Sequence, residues 1–518
     1  MPGDLLSSER SRKVGGSCKP PRKPQGPAPR RRKSPCCAED CSDMRDRRAH
    51  PFPQRMRFHG LSDLPYQTGT SPSEGGFAYK ADNEWEYIAA HEFASGVTAV
   101  AQGLIATGIV PGNRVVLACG TRYEWALIAF AVWAVRGVLV PVHPACSPAR
   151  LQFILRDTSP SAVIVETRRH LRAVADIHGD LNTLTRVWRV DGPQPDGSEP
   201  TRGSGLRAIV AAGAHMDPSV VLFRRQDTVR EDFAAILHPP TTARASHGVV
   251  FTHGNLLAAA GGLVDRLYPL LHQAPEAPPA TLLHLPLTGL FGQTVLIACL
   301  MARVRVGFPT TRSLLLREVS EFRPAFLFTR QRLLDHVYGL ERAVEVEKSK
   351  NPGWDNLRAF EDAVDHAVEY GRAGRKGLAR RVSHAMHEWL YTRIRSRLGG
   401  RLRFIVGIEP LPERLTHFYT GAGMPVVHGF GTLETCGPLT LDIGGRNGPE
   451  SVGLPLPDVQ VRPALDGGIE VRGPQVFREY WNAPERTRDA FHDGWLRLDT
   501  DGALFLPPSP PEGRGRIR

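Results

Sequence analysis

Two short stretches hold the residues best suited to chemistry. The first runs His238-Pro-Pro-Thr-Thr-Ala-Arg-Ala-Ser-His-Gly248. It offers hydroxyls at Thr241 and Thr242, a fixed cation at Arg244 and a second cation at His247 when that ring is protonated. These are donors, the equipment for holding an anion, although Pro239 and Pro240 have no N–H to contribute. The second stretch is Gly429-Phe-Gly-Thr-Leu-Glu-Thr435. Glu434 supplies carboxylate oxygens of the kind Mg²⁺ takes together with phosphates. It reads equally well as a polar residue left at the C-terminal edge of a sheet. Gly429-Phe430-Gly431 alone is not a dinucleotide fingerprint.

The flanking residues say what must position these groups. Ile236 and Leu237 open the first stretch, Val249-Val250-Phe251 close its loop, and Thr252-His253-Gly254-Asn255 enter an Ala-rich apolar segment. This predicts strand, loop, short strand and helix start. Upstream, Phe93, Val97, Val100, Leu104 and Ile105 recur at helical spacing. Val115–Ala118, Val138–Val142 and Ala162–Val165 read as buried strands, separated by helical Glu124–Val135 and Pro148–Arg156. Strands alternating with helices predict a parallel α/β sheet. Further strands are expected at Leu283–Leu287, Val304–Phe308 and Ala325–Thr329. Leu357–Leu398 is expected to be mostly helical, broken at Gly371, Gly374 and Gly377. Val382, Met386, Leu390, Ile394 and Leu398 there form a stripe expected to pack into the core. The neighbouring Lys376, Arg380, Arg381, Arg393, Arg395 and Arg397 are expected on a wet face.

Composition narrows the function classes. The 518 residues carry a net charge of +12, which reads as an Arg-rich solvated surface plus a basic tail and not as a nucleic-acid grip. The 8 cysteines include no CxxC pair, so zinc or thioredoxin-like chemistry has little support. The longest apolar run, Trp125–Val135, is far shorter than the ~20 residues of a membrane span. No N-terminal signal pattern occurs. The expectation is a cytoplasmic protein, peripheral to a membrane at most. Residues 1–55 and 507–518 are rich in Pro, Arg, Ser and Gly and are expected to be disordered tails.

From Tyr87 to Leu506 the landmarks together resemble the adenylate-forming (AMP-binding) superfamily, in its long-chain fatty acid–CoA ligase branch. The loop before Gly248 matches that family's phosphate loop without a gap. Gly429-Phe-Gly431 and Glu434 keep its Gly-aromatic-Gly-x-Thr-Glu pattern, with Thr432 and Leu433 swapped relative to it, which aims the hydroxyl elsewhere. Asn351-Pro-Gly-Trp354, Trp389-Leu-Tyr391, Phe418-Tyr-Thr-Gly421, Glu479-Tyr-Trp-Asn482 and Asp493-Gly-Trp-Leu-Arg497 fit in order. The resemblance implies two layered, mostly parallel sheets flanked by helices over residues 56–506, with a small β-subdomain at 441–506. It implies ATP and Mg²⁺, CoA as co-substrate and a long-chain fatty acid. It makes Thr241, Thr242, Arg244, Gly407, Gly429, Phe430 and Gly431 the nucleotide-binding candidates and Glu434 the metal candidate.

The departures from that pattern are chemical. His247 stands where the family has a Lys, and Thr241 and Arg244 where it has glycines. Each lost donor to a charged phosphate is worth ~1.5–3 kcal/mol. Gly407-Ile-Glu-Pro-Leu411 carries Ile408 and Glu409 where small residues let the adenine approach. Gly289 occupies a His position. The family's ribose-binding Thr-Gly-Asp is missing after Arg497, where Asp499 serves only by a register shift. Its C-terminal lid, with a catalytic Lys, has no room before residue 518. The first expectation is therefore a catalytically impaired relative that holds a fatty acyl group as a binding or regulatory partner. The alternatives are a working ligase with its lid on a separate polypeptide, and a frameshifted or decayed ligase; the expected partner protein is a second copy in a homodimer or that separate lid-bearing protein.

Overall fold

The computed structural model describes residues 58–67, 75–192, 203–239, 247–271, 279–349, 356–372, 377–409, 411–443, 453–464 and 468–498. The expected tails, Asp499 and the loop residues Thr241, Thr242 and Arg244 lie outside these.

The largest sheet has seven strands. Strand Arg114–Ala118 is flanked by Val138–Val142 and Ala162–Val165, with Arg186–Arg189 at one edge; Phe233–Leu237, Val249–Thr252 and Glu479–Tyr480 complete the other side. From Arg186–Arg189 to Phe233–Leu237 the strands run parallel; Val249–Thr252 reverses, and Glu479–Tyr480 pairs antiparallel with it. The inner strands Val138–Val142, Ala162–Val165 and Phe233–Leu237 are apolar throughout because both faces are covered. Helix Tyr123–Ala134, buried all round, packs in this core.

A second sheet of five strands begins with parallel Phe326–Thr329, Phe404–Gly407 and Val426–Phe430. A third joins Phe77–Ala81 and Glu84–Ile88 to Arg305–Phe308 and Ala280–Leu282. The layered α/β expectation holds. A small antiparallel sheet, Gln460–Pro463, Ile469–Arg472, Phe491–His492 and Trp495–Leu498, is the β-subdomain. Thr440–Asp442 and Leu454–Pro455, expected within it, pair instead with the five-stranded sheet.

Two expectations are corrected. Leu283–Leu287 is not a strand; the strand ends at Leu282. Pro286 lacks an N–H for a ladder, and the segment bonds the Thr121 hydroxyl, which donates to the Leu285 carbonyl (2.8 Å) and accepts from the Leu287 N–H (3.0 Å). The stripe at steps of four is also split. Helices Leu378–Ala385 and Glu388–Arg397 are separate. Leu390, Ile394 and Leu398 are fully buried, while Val382 and Met386 are 60% and 68% exposed. The break puts the two halves of the stripe on different faces. Arg397 is exposed as expected and Arg393 half-buried; both pair with buried Glu341, and Arg393 also with Glu345 (2.5 Å). Among the described residues no helix is long and apolar enough to cross a membrane.

One junction ties the units together. Asn255, in the first turn of helix His253–Leu271, accepts from the Thr252 N–H (2.9 Å) and donates to the carbonyls of Pro474 and Val476 (2.9 Å each). Beside it, fully buried His253 accepts the Leu61 N–H at Nδ1 (3.1 Å). A net ~0.5–1.5 kcal/mol per hydrogen bond predicts that Asn255→Ala lowers stability by about 2–4 kcal/mol. Urea unfolding measures this, and hydrogen exchange should rise first in residues 469–480.

Candidate functional site

Both ends of the loop that carries Thr241, Thr242 and Arg244 are clamped to the body. At its start the His238 ring donates from Nε2 to the Asp157 carboxylate (2.8 Å). Arg150 donates to the Pro239 carbonyl (3.0 Å). At its end the Gly248 carbonyl accepts from the Trp481 N–H (2.6 Å), and the Trp481 indole donates to the Asp157 carbonyl (3.0 Å). Asp157 thus holds both ends, through its side chain and its backbone. Gly248 is required by crowding: a Cβ there would lie 2.5 Å from Ile236 Cγ2 and 3.1 Å from His238 Cε1. His247 stands half-buried beside it. Sequence reading singled out Glu479-Tyr-Trp-Asn482 as a landmark but missed Asp157. Its only signal is that a buried histidine at a loop start needs an acceptor.

The second cluster sits at the C-terminal end of Val426–Phe430. Gly431 is forced by a close approach, since its Cβ would fall 1.8 Å from the Gly437 carbonyl oxygen. Gly429 and Phe430 pair across the hairpin with Leu441 and Thr440. These residues therefore have a packing reason to be there. Glu434 lies in the short turn Leu433–Thr435 and is half-buried. The Tyr480 hydroxyl donates to its Oε1 (3.3 Å). Burial first, then the Glu434 charge, pushes the Tyr480 phenol up to about 12, so it stays a donor. The Thr432 hydroxyl is buried without a partner, although its N–H is taken by the Thr435 hydroxyl (2.9 Å). An unsatisfied buried hydroxyl two residues from a carboxylate fits a ligand of oxygens and charge. Mg²⁺ fits Glu434 in the same way, with most of its oxygens coming from phosphate and water.

The end of the neighbouring strand, Phe404–Gly407, differs from the expectation of a crowded nucleotide side. Glu409 is folded away: it accepts from Arg330 (2.8 Å) and from the Gln331 N–H (2.9 Å), capping helix Gln331–Lys348. Ile408 packs against the main core. Thr329, Gly407 and His428 lie in register at the ends of three parallel strands, and His284 Nε2 meets the Thr329 hydroxyl (3.3 Å). Gly289 precedes helix Leu290–Met301 as its cap residue. Between that helix and His253–Leu271 a wholly apolar cavity of about 20 Å³ is lined by Leu267, Ala298, Phe326 and Phe328 among others.

The doubled sheets, the loop clamped at Asp157 and the carboxylate beside an aromatic hydroxyl define the body of an acyl-adenylate-forming enzyme. A model of the AMP-binding enzyme family matches residues 73–481. The long-chain-fatty-acid–CoA ligase FadD15 of Mycobacterium bovis is 31% identical over 436 residues, 82% of this chain and 70% of that ligase. The N-terminal domain of FACL13 from Mycobacterium tuberculosis, solved with an inhibitor, superposes with a TM-score of 0.64 at 19% identity, over 89% of this chain and 99% of that one. ATP-bound MatB from Rhodopseudomonas palustris gives 0.62 at 22% identity, over 89% and 78%. The chain belongs to the AMP-binding enzyme family, in its long-chain fatty acid–CoA ligase branch.

Burial holds His253, His284 and His428 near the sheet edges neutral, each lowered to about 4 from an ordinary 6.5. The unfolded chain binds protons that the folded chain refuses, so their contribution is complete above pH 6.5 and is lost as pH falls toward 4. With about one proton per ring near pH 5, the expected slope is roughly 4 kcal/mol per pH unit. Unfolding titrations at stepped pH should show it, and His284→Gln should remove about a third.

Proposed function

We propose that this chain is the adenylating body of a long-chain fatty acid–CoA ligase, joining ATP, a fatty acid and CoA into acyl-CoA with release of AMP and pyrophosphate. The observation that carries the reading is Glu434, held at the sheet edge by the Tyr480 hydroxyl, with the buried Thr432 hydroxyl unpartnered two residues away. The folding away of Glu409 supports it by leaving the strand end at Gly407 without a carboxylate aimed across it.

Bound Mg²⁺ would offset charge on the triphosphate as the fatty carboxylate attacks the α-phosphorus. Glu434 would hold that cation, and Thr432 would donate to a phosphate oxygen. The Asp157 clamp fixes the described ends of the loop at His238 and Gly248, and Thr241, Thr242 and Arg244 between them would donate to phosphate. His247 donates there when protonated. The acyl chain would enter between helices His253–Leu271 and Leu290–Met301, whose side chains must part, because the cavity there is far smaller than an alkyl chain.

A second reading, an impaired relative that holds a fatty acyl group, is favoured by one observation. Pro239 has no N–H, and its carbonyl is already used by Arg150. ATP–pyrophosphate exchange with a long-chain fatty acid separates the two. The expected result is measurable exchange that falls about 10²-fold in Glu434→Gln and rises about tenfold in His247→Lys, in line with ~10²–10³ per stabilising donor. Absence of exchange in a protein that still binds the fatty acid would establish the impaired reading.

A further inference from the structure

A cleft of about 900 Å³ opens between the start of helix His253–Leu271 and the small antiparallel sheet. It lies at the Thr252 end of strand Val249–Thr252, whereas the phosphate loop enters at the Val249 end. His247, Thr432 and Glu434 are not among its lining residues.

Three guanidinium groups line it, those of Arg230, Arg472 and Arg478. None of the three side chains has a hydrogen-bond or ion-pair partner among the described residues. All three are exposed, whereas half-buried Arg122 and Arg136 are matched. Arg122 meets Glu124, Glu166 and Asp191, and Arg136 meets Asp232. Two carboxylates, Glu231 and Asp458, also line the cleft, so its formal charge remains positive. The first backbone amides of the helix are already used. The N–H groups of Thr252, His253 and Gly254 go to Asn255 Oδ1, the Asp232 carbonyl and the Arg230 carbonyl. Any anion in the cleft must therefore be met by side chains. One wall is aromatic: Phe477 and Phe491 stack with centroids 5.3 Å apart and planes at 22°.

Unpaired guanidinium groups gathered in a concavity are matched to phosphate, whose oxygens accept two parallel N–H bonds from one planar fork. An aromatic wall beside them suits a flat or apolar moiety. The volume is in the range of small-molecule sites, roughly 300–1,000 Å³. We propose that this cleft binds a phosphorylated small molecule at a site separate from the adenylation site. The phosphate would lie on Arg230, Arg472 and Arg478, and the remainder against Phe491. Such a ligand would bridge the body and the β-subdomain at the junction that Asn255 holds, so binding and attachment of the subdomain reinforce each other.

Inorganic pyrophosphate is a suitable probe, titrated by calorimetry into the full chain. A His247→Ala/Glu434→Ala variant, which removes groups from the adenylation site, should still bind it. Arg472→Ala/Arg478→Ala should bind it at least tenfold more weakly at unchanged melting temperature. Arg472→Lys/Arg478→Lys, which keeps charge but loses the fork, should fall between and covers the case in which the alanine variant folds poorly. Pyrophosphate should also slow hydrogen exchange in residues 469–480 of the wild type. Equal affinity in the wild type and the arginine variants, binding lost only with His247 and Glu434, or no binding to the wild type would each overturn the proposal.

Discussion

Everything in the site depends on one antiparallel pairing at the edge of a parallel sheet. Strand Val249–Thr252 runs against Phe233–Leu237 and is covered by Glu479–Tyr480. Because it reverses direction, its two ends face opposite edges of the sheet. One end receives the phosphate loop, and the other launches the helix that carries Asn255. The covering strand lies between strands Ile469–Arg472 and Phe491–His492 of the β-subdomain, so the same ladder aligns the loop ends, the main body and Tyr480. A one-residue slip would exchange the faces of every side chain in it. It would also separate Trp481 from Gly248 and Tyr480 from Glu434.

The chemistry is distributed across that ladder with little redundancy. Asp157 is asked to hold His238 through its carboxylate and Trp481 through its carbonyl. Glu434 is positioned by a hydroxyl from another sheet. These contacts join residues far apart in sequence, and each is short in space. Both described ends of the loop, His238 and Gly248, are fixed through Asp157 and Trp481.

The parallel strands were legible in the sequence because each is a bounded apolar run between helical repeats. Val115–Ala118, Val138–Val142 and Ala162–Val165 read correctly for that reason. The family branch was legible from motif order. The stripe through Val382 and Leu398 was misread because periodicity does not register a break at Met386 and His387. Leu283–Leu287 was misread as a strand because an apolar run does not reveal where its backbone bonds go. The roles of Asp157 and of the buried His284 and His428 were illegible, since each depends on neighbours brought near only by the fold. Glu409 was taken as an obstruction by residue type, and its side chain turned out to be committed elsewhere.

That commitment couples two properties usually considered apart. Glu409 caps an 18-residue helix, Gln331–Lys348, while sitting one residue from the strand end where a nucleotide would lie. Replacing it with a small residue to widen that end would also remove the acceptor for the first amide of the helix and for Arg330. Any gain in nucleotide access would then be set against a loosened helix, a trade between activity and stability written into a single side chain.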